Sequence, residues 1–152
     1  MSVFDGASLN FKADNFKSDI IEKIESGFDD ITTYLRCSCE IFKNLGYSKD
    51  NLKSNLILLP LALYLKENKL KKVSAVSDGQ LKNIKKWIQL SILGRVFGAQ
   101  TTGYLTHLRK GVTWKNKDTF PLDEIIRVSN SGGKNMSIDE EHLGNIIDKA
   151  KK

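Results

Sequence analysis

The chain of 152 residues has only two cysteines and two histidines. Cys37 and Cys39 lie in a segment with helical spacing, where their side chains point to different sides of a helix and cannot pair with each other. This excludes a disulfide framework and is typical of a reducing compartment. Because His107 and His142 lie far from both thiols in the sequence, we expect no metal site, and no cofactor is indicated.

Long apolar runs are also missing. The most apolar stretch, LILLPLALYL at residues 56–65, is far shorter than the roughly 20 residues that a bilayer-spanning helix needs. The N-terminus has neither the basic start nor the apolar run of a signal peptide. We therefore expect a cytoplasmic protein with no membrane-spanning segment.

The motifs of common catalytic centres are absent as well. The sequence contains no P-loop, no HExxH, no pair of CxxC motifs and no HNH-like cluster. The members of a Ser–His–Asp triad come together only in the folded protein, so sequence spacing does not reveal one. Two histidines on helical segments offer little support for such a triad. The tripeptide Asp78-Gly79-Gln80 is an ordinary turn and cap at a helix start. The sequence predicts that the chain is not an enzyme.

What is present is helical spacing of apolar residues along most of the chain, with no strand-like alternation. The pattern predicts an all-α fold: one domain over residues 1–152, an irregular bundle of about six to seven helices. The predicted helices cover residues 14–26, 28–45, 48–68, 79–97, 101–110, 121–128 and 137–150. Gly27 is either a joint between the first two or a weak point in one longer helix. Segment 1–13 is expected to be loosely ordered, and 129–136 a flexible loop.

Some residues mark the helices in particular ways. Pro60 falls inside the third predicted helix, where we expect a kink or a break. The fourth predicted helix carries Trp87 and is expected to be central in the bundle. Gly94 and Gly98 bracket its end, where the Arg95 side chain can hydrogen-bond the last carbonyls. Alternatively, Arg95 contacts a phosphate or an adjacent domain.

Positive charge is concentrated in the middle of the chain. The net charge is +6, yet residues 49–117 carry 14 Lys and Arg against 3 Asp and Glu, so both flanks are net negative. A polyanion is the natural partner of such a segment, although lysine-rich faces are commonly only solvated. The candidates for contact with DNA phosphates are Lys82, Lys85, Lys86, Arg95, Arg109, Lys110 and Lys115.

The order of segments from about residue 28 to 150 resembles the helical middle region of the GmrSD-type bacterial restriction proteins, which act against modified phage DNA. The segments are NLGY, LLPLALYL, LKNIKKWIQLSILGRVFG and YLTHL. Members of that family show an apolar segment with proline, then a linker, then a Lys-Trp motif that ends in arginine, an aromatic residue and glycine, and a following helix. Those positions are filled here by Leu59-Pro60-Leu61, Lys86-Trp87, Ser91 and Gly94-Arg95-Val96-Phe97-Gly98.

The resemblance also shows what is missing. The family's ParB-like domain carries a DGQQR motif. Asp78-Gly79-Gln80 is not this motif, because it lies in the wrong region and continues as Leu-Lys. The HNH-type nuclease domain is missing too. The resemblance therefore implies a non-catalytic accessory domain that contacts DNA or supports nuclease domains supplied by the same or a neighbouring gene. The alternative is a protein–protein interaction or oligomerisation module with no nucleic-acid role; the oligomeric state is left open.

Overall fold

The computed structural model describes residues 18–48, 52, 54–98, 101–115 and 118–137. Over these ranges the chain forms α-helices and short 3₁₀ helices without any β-strand, so the all-α prediction is confirmed. The five α-helices are α1 (Ser18–Asn44), α2 (Leu58–Glu67), α3 (Asp78–Leu93), α4 (Thr101–Gly111) and α5 (Leu122–Ser131). The 3₁₀ helices are Asn55–Ile57 and Val73–Ala75.

The five α-helices are fewer than the six to seven predicted, and the first helix explains part of the difference. For residues 14–26 and 28–45 the sequence left open two helices joined at Gly27 or one longer helix, and α1 confirms one longer helix because it continues through Gly27. A single glycine lowers helix stability by only about 1 kcal/mol relative to alanine, which the packing of the C-terminal half of α1 offsets. The last predicted helix, 137–150, and the N-terminal segment 1–13 lie almost wholly outside the described residues.

Pro60 does not kink a helix, which corrects the prediction. Leu52 and Ser54 are not helical, and α2 begins only at Leu58, directly after a 3₁₀ helix. Pro60 therefore lies in the first turn of α2, where its missing N–H has no intrahelical partner to lose. The segment is largely buried, as expected for LILLPLALYL. Within the described ranges, no helix has the length and apolarity needed to cross a membrane.

The side of α3 that carries Trp87 lies in the core. Ile84, Trp87 and Ile88 are each 0% exposed. The Trp87 ring contacts two other aromatic rings, that of Phe97 at 6.2 Å between centroids and that of Phe120 at 5.3 Å. Tilted and edge-to-face contacts of this kind stabilise aromatic clusters beyond the area that they bury. The buried side of α3 is therefore fully used by the fold.

The helices α2 and α5 complete the bundle. α5 packs against both α3 and α4, while α2 packs against α1 and α4. The Tyr104 hydroxyl of α4 lies 2.7 Å from the Ser129 hydroxyl of α5, and burial raises the pKa of Tyr104 to about 12. α5 extends to Ser131, so its last turn lies inside the stretch 129–136 that was predicted to be a loop. Met136, in the remainder of that stretch, is 1% exposed.

Four of the five described helices end in the same arrangement, in which the second residue beyond the helix has a positive φ. These residues are Gly46 (85°), Lys69 (57°), Arg95 (49°) and Gly133 (76°). In each case the two N–H groups that follow the C-cap donate to carbonyls of the last helical turn, the pattern of the Schellman motif. Glycine adopts this backbone conformation without strain, whereas for Lys69 and Arg95 it costs roughly 1–2 kcal/mol each.

Candidate nucleic-acid interface

The helix that carries most of the predicted phosphate contacts begins at a complete capping box. The Ser77 hydroxyl accepts from the Gln80 N–H at 3.3 Å, and the Gln80 side-chain oxygen accepts from the Ser77 N–H at 2.8 Å. The Gln80 amide also donates to the Tyr64 hydroxyl at 2.8 Å, so it ties α3 to α2. Sequence reasoning treated Gln80 as an ordinary helix residue, although the spacing Ser-x-x-Gln signals this box.

Opposite the buried side of α3 lies a face that we call the lysine face, formed by Lys82, Lys85, Lys86 and Gln89. All four are exposed. Their spacing of three and four residues places them on adjacent turns, within reach of successive groups of an extended ligand. Because Trp87 anchors the other side of the same helix, the backbone that carries these ammonium groups is firmly held.

Arg95 lies beyond the end of α3 and does not cap it as predicted. The carbonyls of Ser91 and Ile92 accept from the backbone N–H groups of Val96 at 3.0 Å and Arg95 at 3.1 Å. The Arg95 side chain is exposed, and it makes no hydrogen bond or ion pair with any other described residue. Gly94 fits here because a Cβ at this position would overlap the Asn135 carbonyl oxygen. Among the described residues, Arg95 is therefore an unpaired charge, and it lies on a strained backbone.

The remaining candidates lie at the end of α4 and after it. Arg109 and Lys110 belong to the last turn of α4, where Arg109 is half-buried and Lys110 is exposed. Lys115 follows α4, and its ammonium group forms an ion pair with Glu67 at 3.4 Å, so part of its charge is balanced by the protein. The seven predicted phosphate contacts thus comprise the three lysines of α3, Arg95 just beyond its end, and three cations at or after the end of α4.

Between α2 and α4 runs a surface depression that we call the apolar groove. Its volume is about 150 Å³, and it is lined by Leu59, Pro60, Leu63, Leu105, Leu108, Arg109 and Trp114. Leu59 is 41% exposed at one edge, and Arg109 contributes the only charged side chain of the lining. An apolar lining with one cation suits an apolar side chain beside a carboxylate and offers no set of converging polar groups for catalysis.

A second apolar surface lies on the N-terminal half of α1. Ile21, Phe28 and Ile31 are 40%, 60% and 39% exposed, and their spacing of seven and three residues aligns them along one side of the helix. We call these three residues the α1 stripe. Phe28 has the largest exposed fraction among the large hydrophobic side chains of the described residues. Helical spacing places Ile21 in the first predicted helix and Phe28 and Ile31 in the second, but it does not tell a covered face from an open one.

The cysteine and histidine residues have structural surroundings. Cys37 is buried and Cys39 is exposed, so the two thiols lie on different sides of α1, as predicted. Burial raises the pKa of the Cys37 thiol, and nearby Glu40 adds to this shift, which makes the reactive thiolate less accessible. His107 Nε2 lies 3.1 Å from the Val128 carbonyl and links α4 to the end of α5. Within the described ranges, no group of three or more His, Cys, Asp or Glu residues forms a metal-binding cluster.

A scan against protein-family models finds no match to this chain, and a search of curated proteins finds no match either. The resemblance to the GmrSD-type restriction proteins therefore stays a prediction. It is carried by the motif order alone.

Proposed function

We propose that the chain is a non-catalytic helical accessory domain that contacts DNA phosphates through the lysine face of α3. The observation that carries the proposal is the division of α3 into a side on which Ile84, Trp87 and Ile88 are fully buried and an exposed side with three lysines. The apolar side belongs to the core, so a ligand meets α3 through charge. Lysine is a point-charge donor that binds phosphate without a demanding geometry.

The proposed DNA contact is of the positioning kind, with little dependence on base sequence. Lysines on adjacent turns of one helix contact the phosphate backbone, which holds no direct sequence information. The resemblance to restriction proteins gives this contact its context, since sequence recognition and cleavage would reside in domains that this chain does not contain. Arg95 and the cations after α4 extend the same role to neighbouring phosphates.

A titration of labelled duplex DNA at several salt concentrations tests this function. The logarithm of the binding constant is expected to fall linearly with the logarithm of salt concentration, by about 0.9 for each phosphate contact. Duplexes of unrelated sequence should bind with similar affinity. Absence of binding at low salt, or an affinity that does not respond to salt, would contradict the proposal.

A second candidate function is a protein–protein interaction module without a nucleic-acid role. The observation that favours it is the α1 stripe, because a line of exposed large apolar side chains on one helix is typical of a surface that another protein covers. Sedimentation of the free chain at increasing concentration tests this function. Growth in mass with concentration would support it, and a strictly monomeric chain would count against it.

A further inference from the structure

The α1 stripe and the apolar groove are complementary in shape and in charge. We propose that the α1 stripe of one copy docks in the apolar groove of a second copy, with the Phe28 ring as its anchor. This inference rests on the second function proposed above and names its partner, a second copy of this chain. It does not depend on the lysine face, because none of Lys82, Lys85 and Lys86 belongs to either surface; Arg109, which lines the groove, is the one residue shared with the candidate phosphate contacts.

The size of the groove fits one aromatic ring. A cavity of roughly 150 Å³ lined by aliphatic and aromatic side chains accommodates a benzene molecule in another protein. The groove has the same volume, and its walls are formed by leucines, a proline and Trp114. The Phe28 ring, which is 60% exposed at the projecting end of α1, is the side chain of this chain best placed to fill such a space.

The charges around the two surfaces are opposite. Residues 18–31, which carry the α1 stripe, contain five carboxylates and one lysine. The two segments that form the groove walls, residues 58–67 and 101–115, contain four Lys or Arg residues and one carboxylate. Docking the stripe in the groove therefore brings a negative surface against a positive one, whereas pairing two α1 stripes brings like charges together.

The α1 stripe does not reach the apolar groove of its own molecule. α1 is one continuous helix in which Phe28 precedes the fully buried Ile41 by 13 residues, about 20 Å along the axis. The ion pair of Lys71 with Asp30 at 3.1 Å places the segment after α2 beside the middle of α1. Leu59, at the opposite end of α2, thus lies farther from Phe28 than that segment does. The docked groove must belong to another molecule.

Contacts between two different surfaces have a consequence for assembly. Each copy keeps one open stripe or one open groove after the first contact, so association continues into chains or closes into rings. The interface is small, which places it among weak and transient contacts. Opposite charges at its edge make the association weaker at high salt.

Sedimentation of the full chain and two variants, without DNA, tests the proposal. Phe28→Gln removes the anchor, and Leu59→Gln removes an exposed apolar edge of the groove; neither changes the charge. The wild-type chain is expected to grow beyond a dimer as its concentration rises. The association constant of each variant alone should be at least about tenfold lower than that of the wild-type chain, as for the loss of a central aromatic or aliphatic contact. A mixture of the two variants should form a one-to-one dimer that stops growing, because it holds one intact stripe and one intact groove.

Ile92→Gln is the matched control, since Ile92 is 39% exposed but belongs to neither surface. It should associate like the wild-type chain. If the Leu59→Gln variant still associates like the wild-type chain while the Phe28→Gln variant does not, the α1 stripe binds a surface other than the groove. The groove assignment is then wrong, but the proposed protein–protein interaction function stands. A wild-type chain that is monomeric at every concentration overturns both the docking proposed here and the protein–protein interaction function. Monomers whose stability falls with Phe28→Gln would show instead that another part of the same chain covers Phe28.

Discussion

The N-terminal half of α1 and the helix α3 are both amphipathic, yet they are used in opposite ways. α3 buries Ile84, Trp87 and Ile88 completely and presents lysines to solvent. The N-terminal half of α1 leaves large apolar side chains exposed and surrounds them with carboxylates. The comparison teaches that amphipathic spacing alone does not define a role. We therefore propose that a ligand would reach α3 through charge, whereas a partner would reach α1 through apolar contact.

The largest expected difference between the two helices concerns their aromatic residues. Trp87→Ala in α3 should lower the free energy of unfolding by about 3–5 kcal/mol, because it leaves a cavity in the core. Phe28→Ala in α1 should change it by no more than about 0.5 kcal/mol, because Phe28 is 60% exposed. Urea unfolding of dilute protein measures both. A loss of several kcal/mol for Phe28→Ala would show that its face is covered within the chain.

Substitution of one glycine at each helix is expected to change the stability of the protein in opposite directions. A Cβ at Gly94, after α3, would overlap the Asn135 carbonyl oxygen, so Gly94→Ala should destabilise the protein by about 1–3 kcal/mol. A Cβ at Gly27, within α1, has its nearest neighbour at 3.9 Å, so Gly27→Ala should stabilise it by about 0.5–1 kcal/mol. Thermal unfolding compares the two variants. A decrease in melting temperature for Gly27→Ala would mean that α1 requires flexibility there.

A smaller effect is expected at Arg95, where charge and backbone conformation are separable. Arg95→Gly relieves the strain of the positive φ and should stabilise the protein by about 1 kcal/mol. Arg95→Ala keeps that strain and should leave stability nearly unchanged, because the backbone caps α3. Both variants should bind DNA equally less well than the wild-type chain if Arg95 contacts a phosphate. A marked loss of stability for Arg95→Ala would restore the side-chain cap that the sequence suggested.

Much of the fold follows from the sequence. Helical spacing predicts the all-α class, and the turn and cap expected at Asp78-Gly79-Gln80 lie at the start of α3, where Ser77 is the N-cap residue. The errors arise where a local rule competes with tertiary context. Pro60 suggested a kink because the start of its helix was placed too early. At Gly27 the sequence left open a joint or one longer helix, and α1 is one continuous helix.

The candidate site is only partly predictable. The exposure of the lysine face follows from the spacing of the lysines against Trp87, but its division from the cations after α4 does not. The ion pair of Lys115 with Glu67 joins residues 48 positions apart, and such a contact depends on how α2 packs against the segment after α4. The groove and the α1 stripe escaped prediction for the same reason, since both are defined by what the packing leaves uncovered.

Comparison of two charge-matched triple variants tests the central claim most directly. In the first, Lys82, Lys85 and Lys86 are replaced by glutamine. In the second, the exposed lysines Lys43, Lys69 and Lys72 are replaced by glutamine, which removes the same charge away from the lysine face. Binding of duplex DNA is then titrated at several salt concentrations.

We predict that the first variant binds DNA more weakly and that its salt dependence falls by about 0.9 for each lysine that contacts a phosphate. The second variant should retain the wild-type salt dependence, apart from a small uniform loss of affinity. Equal losses in the two variants would contradict the account, because they would show that DNA responds to net charge and that the lysine face of α3 is a solvated surface.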